Sequence, residues 1–203
     1  SKGDIGWAKV VFDISGSVTC SGVSCTIGKG YGNNTTTTNK IIIGSSSDTV
    51  TSYITNLKVY NVGTGDEITA STTNDGITTP NTWNYTAGGA RVAFLPATEQ
   101  VIAAGTTKTY ELRGDLGVSP TAGDAISIKI ANRTTATTTG VFRTLAAVEG
   151  TAAGNDYSAS STATFVWTDR SGVGATHSFW GTADWSADYK VSGIPTATLS
   201  LSR

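Results

Sequence analysis

The sequence is poor in charge, and the few charges that it has almost cancel. It carries 14 Lys and Arg against 15 Asp and Glu, for a formal net charge of -1. Proteins that bind nucleic acid or anionic bilayers do so through concentrated positive charge, which this composition does not supply. We therefore expect no nucleic-acid partner.

Methionine is absent, and so is any long apolar run. Because position 1 is Ser, we expect a processed or excised chain from which any leader has already been removed. A transmembrane helix needs roughly 18 to 20 consecutive apolar residues, and no segment reaches that length. The sequence therefore predicts no membrane span.

The low charge does not indicate disorder. Disordered chains combine few aromatic residues with a high net charge, whereas this chain has five Trp, seven Tyr and five Phe. Its 203 residues are also enough to bury a sizeable core. We interpret residues 1–203 as one folded domain, with a candidate internal boundary near residues 132–140.

Cysteine is scarce, but its two copies lie close together. Cys20 and Cys25 flank a Ser-Gly pair that favours a turn between two short β-prone arms. The spacing allows a disulfide across a hairpin, and its short loop limits the stabilisation to about 2 kcal/mol. Two free thiols are the alternative. A zinc site would need further Cys or His ligands nearby, and the only histidine is His177.

Short β-prone runs recur along the chain without a long amphipathic helix pattern. Residues 125–131 show the clearest period-two alternation, because Ile126, Ile128 and Ile130 alternate with polar residues. Residues 51–62 have apolar side chains on both parities, which predicts a central strand. Further predicted strands are 7–14, 40–43, 67–70, 90–95, two around residues 104–105, 163–167 and 197–201.

Gly-, Asn- and Pro-rich turns separate these runs. Residues 28–39 and 134–139 are too polar to pack and are predicted to be surface loops, and residues 141–148 are the one stretch considered as a short helix. Many short strands between such turns predict an all-β fold, an antiparallel β-sandwich of the Ig-like or Greek-key type with long polar loops.

Two parts of the chain resemble known bacterial surface proteins. Residues 102–116 (Ile-Ala-Ala-Gly-Thr-Thr-Lys-Thr-Tyr-Glu-Leu-Arg-Gly-Asp-Leu) and 121–130 resemble Ig-like modules of surface-layer and other large extracellular surface proteins. Residues 164–171, His177-Ser and 184–195 resemble the C-terminal region of surface proteins in candidate-phyla bacteria of the Patescibacteria type. The resemblance implies a surface-layer or filament subunit, or a module of a longer envelope protein, and transfers no catalytic residue.

Catalytic patterns are weak. His177 and Ser178 have Asp169 and Asp184 nearby in sequence, but the Gly-x-Ser-x-Gly nucleophile turn is absent. The spacing of the carboxylates selects no pair for glycoside hydrolysis. We expect a protein that is not an enzyme.

Calcium is the metal that the residues fit best. Loop carboxylates such as Asp66, Asp184 and Asp188 are hard oxygen ligands of the kind that calcium prefers. The Asp-x-Asp-x-Asp-Gly loop is absent, and ordinary solvated turns are the alternative. No cofactor is predicted, and the metal stays unknown.

Carbohydrate binding is the main alternative function. Exposed aromatic rings stack on sugars, and two aromatic clusters lie in loop-like sequence, namely Trp83 with Tyr85 and Trp180 with Trp185 and Tyr189. Tryptophan is more often packed than exposed, and Trp7 and Trp167 are expected in the core. Glycosylation-type Asn-x-Thr triplets begin at Asn33, Asn34, Asn84 and Asn132.

The preferred hypothesis is a structural protein of the extracellular cell surface that assembles through β-edge contacts. Its partners would be further copies or neighbouring modules, with glycans as partners under the alternative. Low charge lets copies approach each other, and abundant Thr favours extended backbone. The predicted joints are residues 5–14 and 196–201, with Trp7, Val10, Phe12, Ile14, Leu199 and Leu201 as assembly residues. Deleting residues 1–12 is then expected to abolish assembly and leave the fold intact.

Overall fold

The computed structural model describes residues 3–28, 40–45, 50–70, 77–78, 89–130, 165–170, 185–187 and 196–202. These residues form strands and no helix. The strands are β1 (Ile5–Cys20), β2 (Val23–Ile27), β3 (Ile41–Ser45), β4 (Val50–Asn61), β5 (Glu67–Ile68), β6 (Ile77–Thr78), β7 (Gly89–Phe94), β8 (Gln100–Ile102), β9 (Tyr110–Leu116), β10 (Ala125–Ile130), β11 (Phe165–Asp169), β12 (Trp185–Ala187) and β13 (Leu199–Ser202).

The fold is all-β and antiparallel, which confirms the predicted fold class. Hydrogen bonds join the described strands into one curled sheet in the order β12-β11-β1-β2-β3-β4-β5, with the other strands branching from it. A curled sheet of this kind is compatible with a β-sandwich. The described residues form a single sheet without a separate second one, so the Ig-like or Greek-key subdivision stays a prediction.

Strand β1 is the centre of the sheet, and both of its backbone edges are used within the chain. Along one edge it pairs successively with β8, β7 and β2, and along the other with β11 and β10. Val10 pairs with both Phe94 and Phe165, and Ser17 pairs with both Thr26 and Ala125. The sequence predicts only residues 7–14 of this strand, because the Gly- and Ser-containing part that follows has little β propensity.

Most of the hydrophobic core lies against one face of β1. Trp7, Val10 and Ile14 belong to one buried cluster, although their spacing does not fit strict alternation. The pairing of β1 with β11 shifts register between Trp7 and Lys9, and such a β-bulge moves later side chains to the opposite parity. The cluster also contains Val18, Cys20, Cys25, Ile27, Ile41, Ile43, Ile54, Leu57, Val59, Val92 and Phe94.

Strand β4 is central, as predicted, but for a different reason from the one that its sequence suggests. It pairs with β3 and β5 on one edge and with β9 on the other. Its register shifts between Thr55 and Lys58, where Asn56 has a positive φ of 54°. Ile54 and Leu57 therefore join the same core in spite of their opposite parities.

Trp7 lies within a group of aromatic rings. Its ring centroid is 5.0 Å from that of Tyr110 in an edge-on arrangement, and 6.2 Å and 6.4 Å from those of Phe94 and Phe165. Trp7 is therefore a core residue, as predicted, and Trp167 is partly buried against the same cluster. Burial of each large apolar side chain contributes about 1.5–3 kcal/mol to the free energy of unfolding.

Strands β1 and β2 form a hairpin that a disulfide closes. Cys20 and Cys25 are bonded, with their Cα atoms 5.9 Å apart, which confirms the predicted pairing. Ser21 and Gly22 connect the strands with φ values of 50° and 83°. Positive φ at both turn residues is the arrangement that matches the twist of a tight hairpin. The clamp therefore holds the end of β1 against β2.

A second clamp joins this hairpin to the start of β10. The Thr19 hydroxyl donates to Asp124 at 2.9 Å, and the backbone N–H of Thr121 donates to the same carboxylate at 2.7 Å. The hydrogen bond from the Thr121 backbone outweighs the effect of burial and, with the bonds from Thr19, lowers the pKa of Asp124. Asp124 therefore favours its charged form in the folded protein.

Candidate functional site

Among the described strands, β13 lies at an edge of the sheet and pairs along one side only. It pairs with β10, with Leu199 opposite Ile128 and Leu201 opposite Ile126. Thr196 extends this pairing, because its backbone N–H donates to the Ile130 carbonyl and its hydroxyl accepts from the Ile130 N–H, each at 2.9 Å. Within the described ranges, no strand pairs with the opposite edge of β13.

The side chains of β13 are exposed and uncharged. Leu199 is 61% exposed and Leu201 is 57% exposed, and residues 196–202 contain no charged side chain. Edge strands of natural proteins usually carry Lys, Pro or a bulge that discourages pairing with another chain. Residues 196–202 contain neither Lys nor Pro, and the pairing of β13 with β10 has no register shift. This edge is therefore open to an additional strand.

A groove of about 790 Å³ lies beside this edge, between the β4–β9 pair and the β1–β10–β13 group. Each of these strands contributes at least one apolar side chain to its lining. The apolar lining residues are Ile14, Ile54, Leu57, Leu112, Leu116, Ile126, Ile128 and Leu201. Leu201 thus connects the groove to the free edge.

The charged groups at the groove are paired with each other or with groups beside them. Arg113 donates to Glu111 at 2.9 Å and lies over the ring of Tyr60, 4.3 Å from its centroid. Lys58 donates to Glu67 at 2.8 Å, and this hydrogen bond raises the pKa of Lys58. The described part of the lining carries two cations and two carboxylates, so these residues give the groove no excess charge of either sign.

The structure separates the two predicted joints. Leu199 and Leu201 lie on the exposed edge, as a joint requires. Trp7, Val10, Phe12 and Ile14 lie on β1, both edges of which are already hydrogen bonded. Deleting residues 1–12 would remove much of the central strand with its core side chains, so we now expect this deletion to unfold the protein. The prediction from sequence treats β1 as an edge, because sequence alone does not show pairing partners.

The structure describes only one of the five predicted sugar-stacking residues, and of that one only the backbone. Trp185 lies in β12, where it pairs with Thr168. The other four, Trp83, Tyr85, Trp180 and Tyr189, lie outside the described residues. The glycosylation-type triplets, the boundary at 132–140 and the candidate helix at 141–148 also lie outside them.

The predicted catalytic and metal-binding residues are not brought together by the described ranges. Asp169 lies at the end of β11 opposite Ile5, and Asp66 lies in the turn between β4 and β5. His177, Ser178, Asp184 and Asp188 are outside the described residues. Within the described part of the chain, no group of three or more His, Cys, Asp or Glu side chains could hold a metal ion.

Sequence reasoning missed the groove. Its lining comes from five strands that are far apart in the sequence, and no local pattern shows which of them face each other. The alternation of Leu112 with polar neighbours shows that one side of β9 is buried, but not against what.

None of the described residues forms a helix that is long and apolar enough to cross a membrane. Comparisons of the chain with protein-family models, with curated proteins and with solved structures find no significant match.

Proposed function

We propose that this protein is a structural, non-catalytic component of the cell surface, and that its copies associate by adding a strand at the free edge of β13. The observation that carries the proposal is an uncharged edge that pairs with no other described strand and presents two exposed leucines. A neighbouring copy would bond to the outward N–H and C=O groups of β13 and cover Leu199 and Leu201.

Charge supports a second copy as the partner. The net charge of the chain is -1, and the ion pairs at the groove are satisfied within the chain. Identical copies therefore approach the edge without strong repulsion. A partner recognised through charge would find little at this surface to bind.

The disulfide supports an oxidising location. Cys20 and Cys25 are bonded, and disulfides persist mainly in secreted and cell-surface proteins. A structural role is also supported by three of the four described titratable groups with shifted pKa values, the exception being Tyr110. Lys58 and Arg113 owe their shifts mainly to hydrogen bonds with exposed carboxylates, and Asp124 owes its shift to the hydrogen bonds of a turn.

The experiment compares assembly of the wild type and Leu201→Asp by sedimentation velocity and negative-stain microscopy. We expect the wild type to form larger species as its concentration rises. We expect Leu201→Asp to remain monomeric, because a charge at a strand edge opposes pairing. Val23→Asp is the matched control, since Val23 is 52% exposed and lies at the turn end of the β1–β2 hairpin, where it pairs with Cys20.

A wild type that stays monomeric with and without millimolar calcium would overturn the proposal. Assembly of Leu201→Asp to the same extent as the wild type would overturn the role of β13. The carbohydrate-binding hypothesis stays a prediction, because four of its five aromatic residues lie outside the described residues.

A further inference from the structure

A second cavity, of about 280 Å³, lies beside the aromatic group around Trp7. It shares no lining residue with the groove beside β13. Four aromatic side chains line it, namely Trp7, Phe12, Tyr110 and Phe165. Since a cavity of about 150 Å³ in a protein core can hold benzene, this one is large enough for a single ring with a short substituent.

Two polar atoms in the lining residues are buried without a hydrogen-bond partner. They are the indole Nε1 of Trp7, a residue that is 3% exposed, and the hydroxyl oxygen of Tyr110. A buried polar group without a partner costs about 1–3 kcal/mol, so native proteins rarely leave two together. The two atoms therefore mark a place where a bound molecule would find hydrogen-bond partners.

The two groups are close to each other. Burial raises the pKa of Tyr110, and the indole N–H of Trp7 offsets part of that rise. Neither atom has a hydrogen-bond partner of good geometry, so both are available to a third group. Trp7 offers a donor only, while a tyrosine hydroxyl both donates and accepts.

The mouth of the cavity carries a cation. The exposed Lys108 belongs to the lining, and its ammonium group donates to the Val101 carbonyl at 2.8 Å. An ammonium group has three donors, so further ones remain for a ligand. The described lining residues include no carboxylate. Among the described residues, the cavity thus combines aromatic walls with three donor groups, one of which is positively charged.

We propose that this cavity is a binding site for a small monocyclic aromatic carboxylate. The ring lies among Trp7, Phe12 and Phe165, and the carboxylate accepts hydrogen bonds from Trp7, Tyr110 or Lys108. A carboxylate is an acceptor when ionised and therefore matches a site composed of donors. Edge-on contacts between rings are a favourable arrangement for the aromatic part.

The test uses phenylacetate as the probe and measures binding by saturation-transfer NMR and isothermal titration calorimetry. We expect saturable binding of phenylacetate and none of 2-phenylethylamine, which has the same ring and the opposite charge. Tyr110→Phe keeps the ring and removes the hydroxyl, and we expect it to weaken binding about tenfold. Tyr60→Phe makes the same chemical change outside the cavity and should bind like the wild type.

A second readout separates a ligand site from a packing role. Without ligand, Tyr110→Phe should melt at the same or a higher temperature than the wild type, because it removes a hydroxyl that has no partner. Ile102→Phe, which fills the cavity, should abolish phenylacetate binding without lowering the melting temperature. Equal binding of phenylethylamine, no binding of phenylacetate, or unchanged binding by both variants would overturn the proposal. None of these results depends on whether the protein assembles through β13.

Discussion

Strands β1 and β13 are both antiparallel and β-prone, yet they differ in every property that decides function. β1 is sixteen residues long, pairs on both edges and supplies Trp7, Val10 and Ile14 to the core. β13 is four residues long, pairs with described strands on one edge only and is exposed along its whole length. The comparison teaches that apolar alternation identifies a strand, whereas the pairing of its edges determines whether that strand stabilises the fold or is available to a partner.

The largest expected effect on stability comes from a substitution that disrupts β1. Ile14 is buried beside the groove, so Ile14→Asp places an uncompensated charge in the core. We expect the free energy of unfolding to fall by about 4 kcal/mol or more, which is enough to unfold many domains. Urea denaturation followed by tryptophan fluorescence measures the loss. A variant with a near wild-type transition would show that β1 is not the centre of the fold.

The next effect tests how closely β1 approaches β10. A Cβ atom at Gly16 would overlap the carbonyl oxygen of Ala125. We expect Gly16→Ala to cost about 1–3 kcal/mol, because the two strands must separate. Gly22→Ala is a useful comparison, because no atom lies near a Cβ at Gly22 and only its positive φ of 83° opposes the change. If Gly16→Ala were neutral, the close contact would be absent.

The disulfide has a smaller expected effect. Replacing Cys20 and Cys25 together by Ala should lower the free energy of unfolding by about 2 kcal/mol, because the bond closes only a short loop. Reduction of the wild type without mutation should move the urea midpoint in the same direction. A loss near 5 kcal/mol in the double variant would mean that the bond is central to the fold and not a local clamp.

The contribution of Asp124 to the free energy of unfolding is expected to change mainly at acidic pH. Because the pKa of Asp124 is lowered in the folded protein from a reference value of 3.8, its stabilisation is complete above that pH and is lost as the pH falls toward the folded-state pKa. Asp124→Asn should therefore reduce the loss of stability between about pH 5 and about pH 2. Unfolding curves at several pH values measure the slope. Identical slopes in both proteins would exclude this contribution.

The smallest expected effect on stability is at β13. Leu201→Asp places the same charge as Ile14→Asp on a side chain that is already exposed, so we expect a change within about 0.5 kcal/mol. The two substitutions together are the sharpest test of the comparison. Both replace an aliphatic side chain by Asp, and they differ in the burial of the site and in the pairing of its strand. A large loss of stability in Leu201→Asp would mean that β13 is part of the core structure.

The sequence predicted the features that depend on neighbouring residues. The hairpin disulfide, the all-β class and the strands at 51–62 and 125–131 follow from turn chemistry and alternation, and the structure confirms them within one or two residues. It did not predict the bulges near Ala8 and Asn56, which change side-chain parity within a strand. It also could not predict edge occupancy, since β1 pairs with strands as distant as β10 and β11. The juxtaposition of Trp7 with Tyr110 is missed for the same reason.

The most direct test of the account is hydrogen exchange of β13 at low and high protein concentration. We predict that the amides of Leu199–Ser202 gain protection when copies associate, while those of Val23–Ile27 exchange at the same rate under both conditions. Protection of β13 without a change in β2 would place the joint at the free edge. Assembly without any change at Leu199–Ser202 would contradict the account and move the joint to another surface.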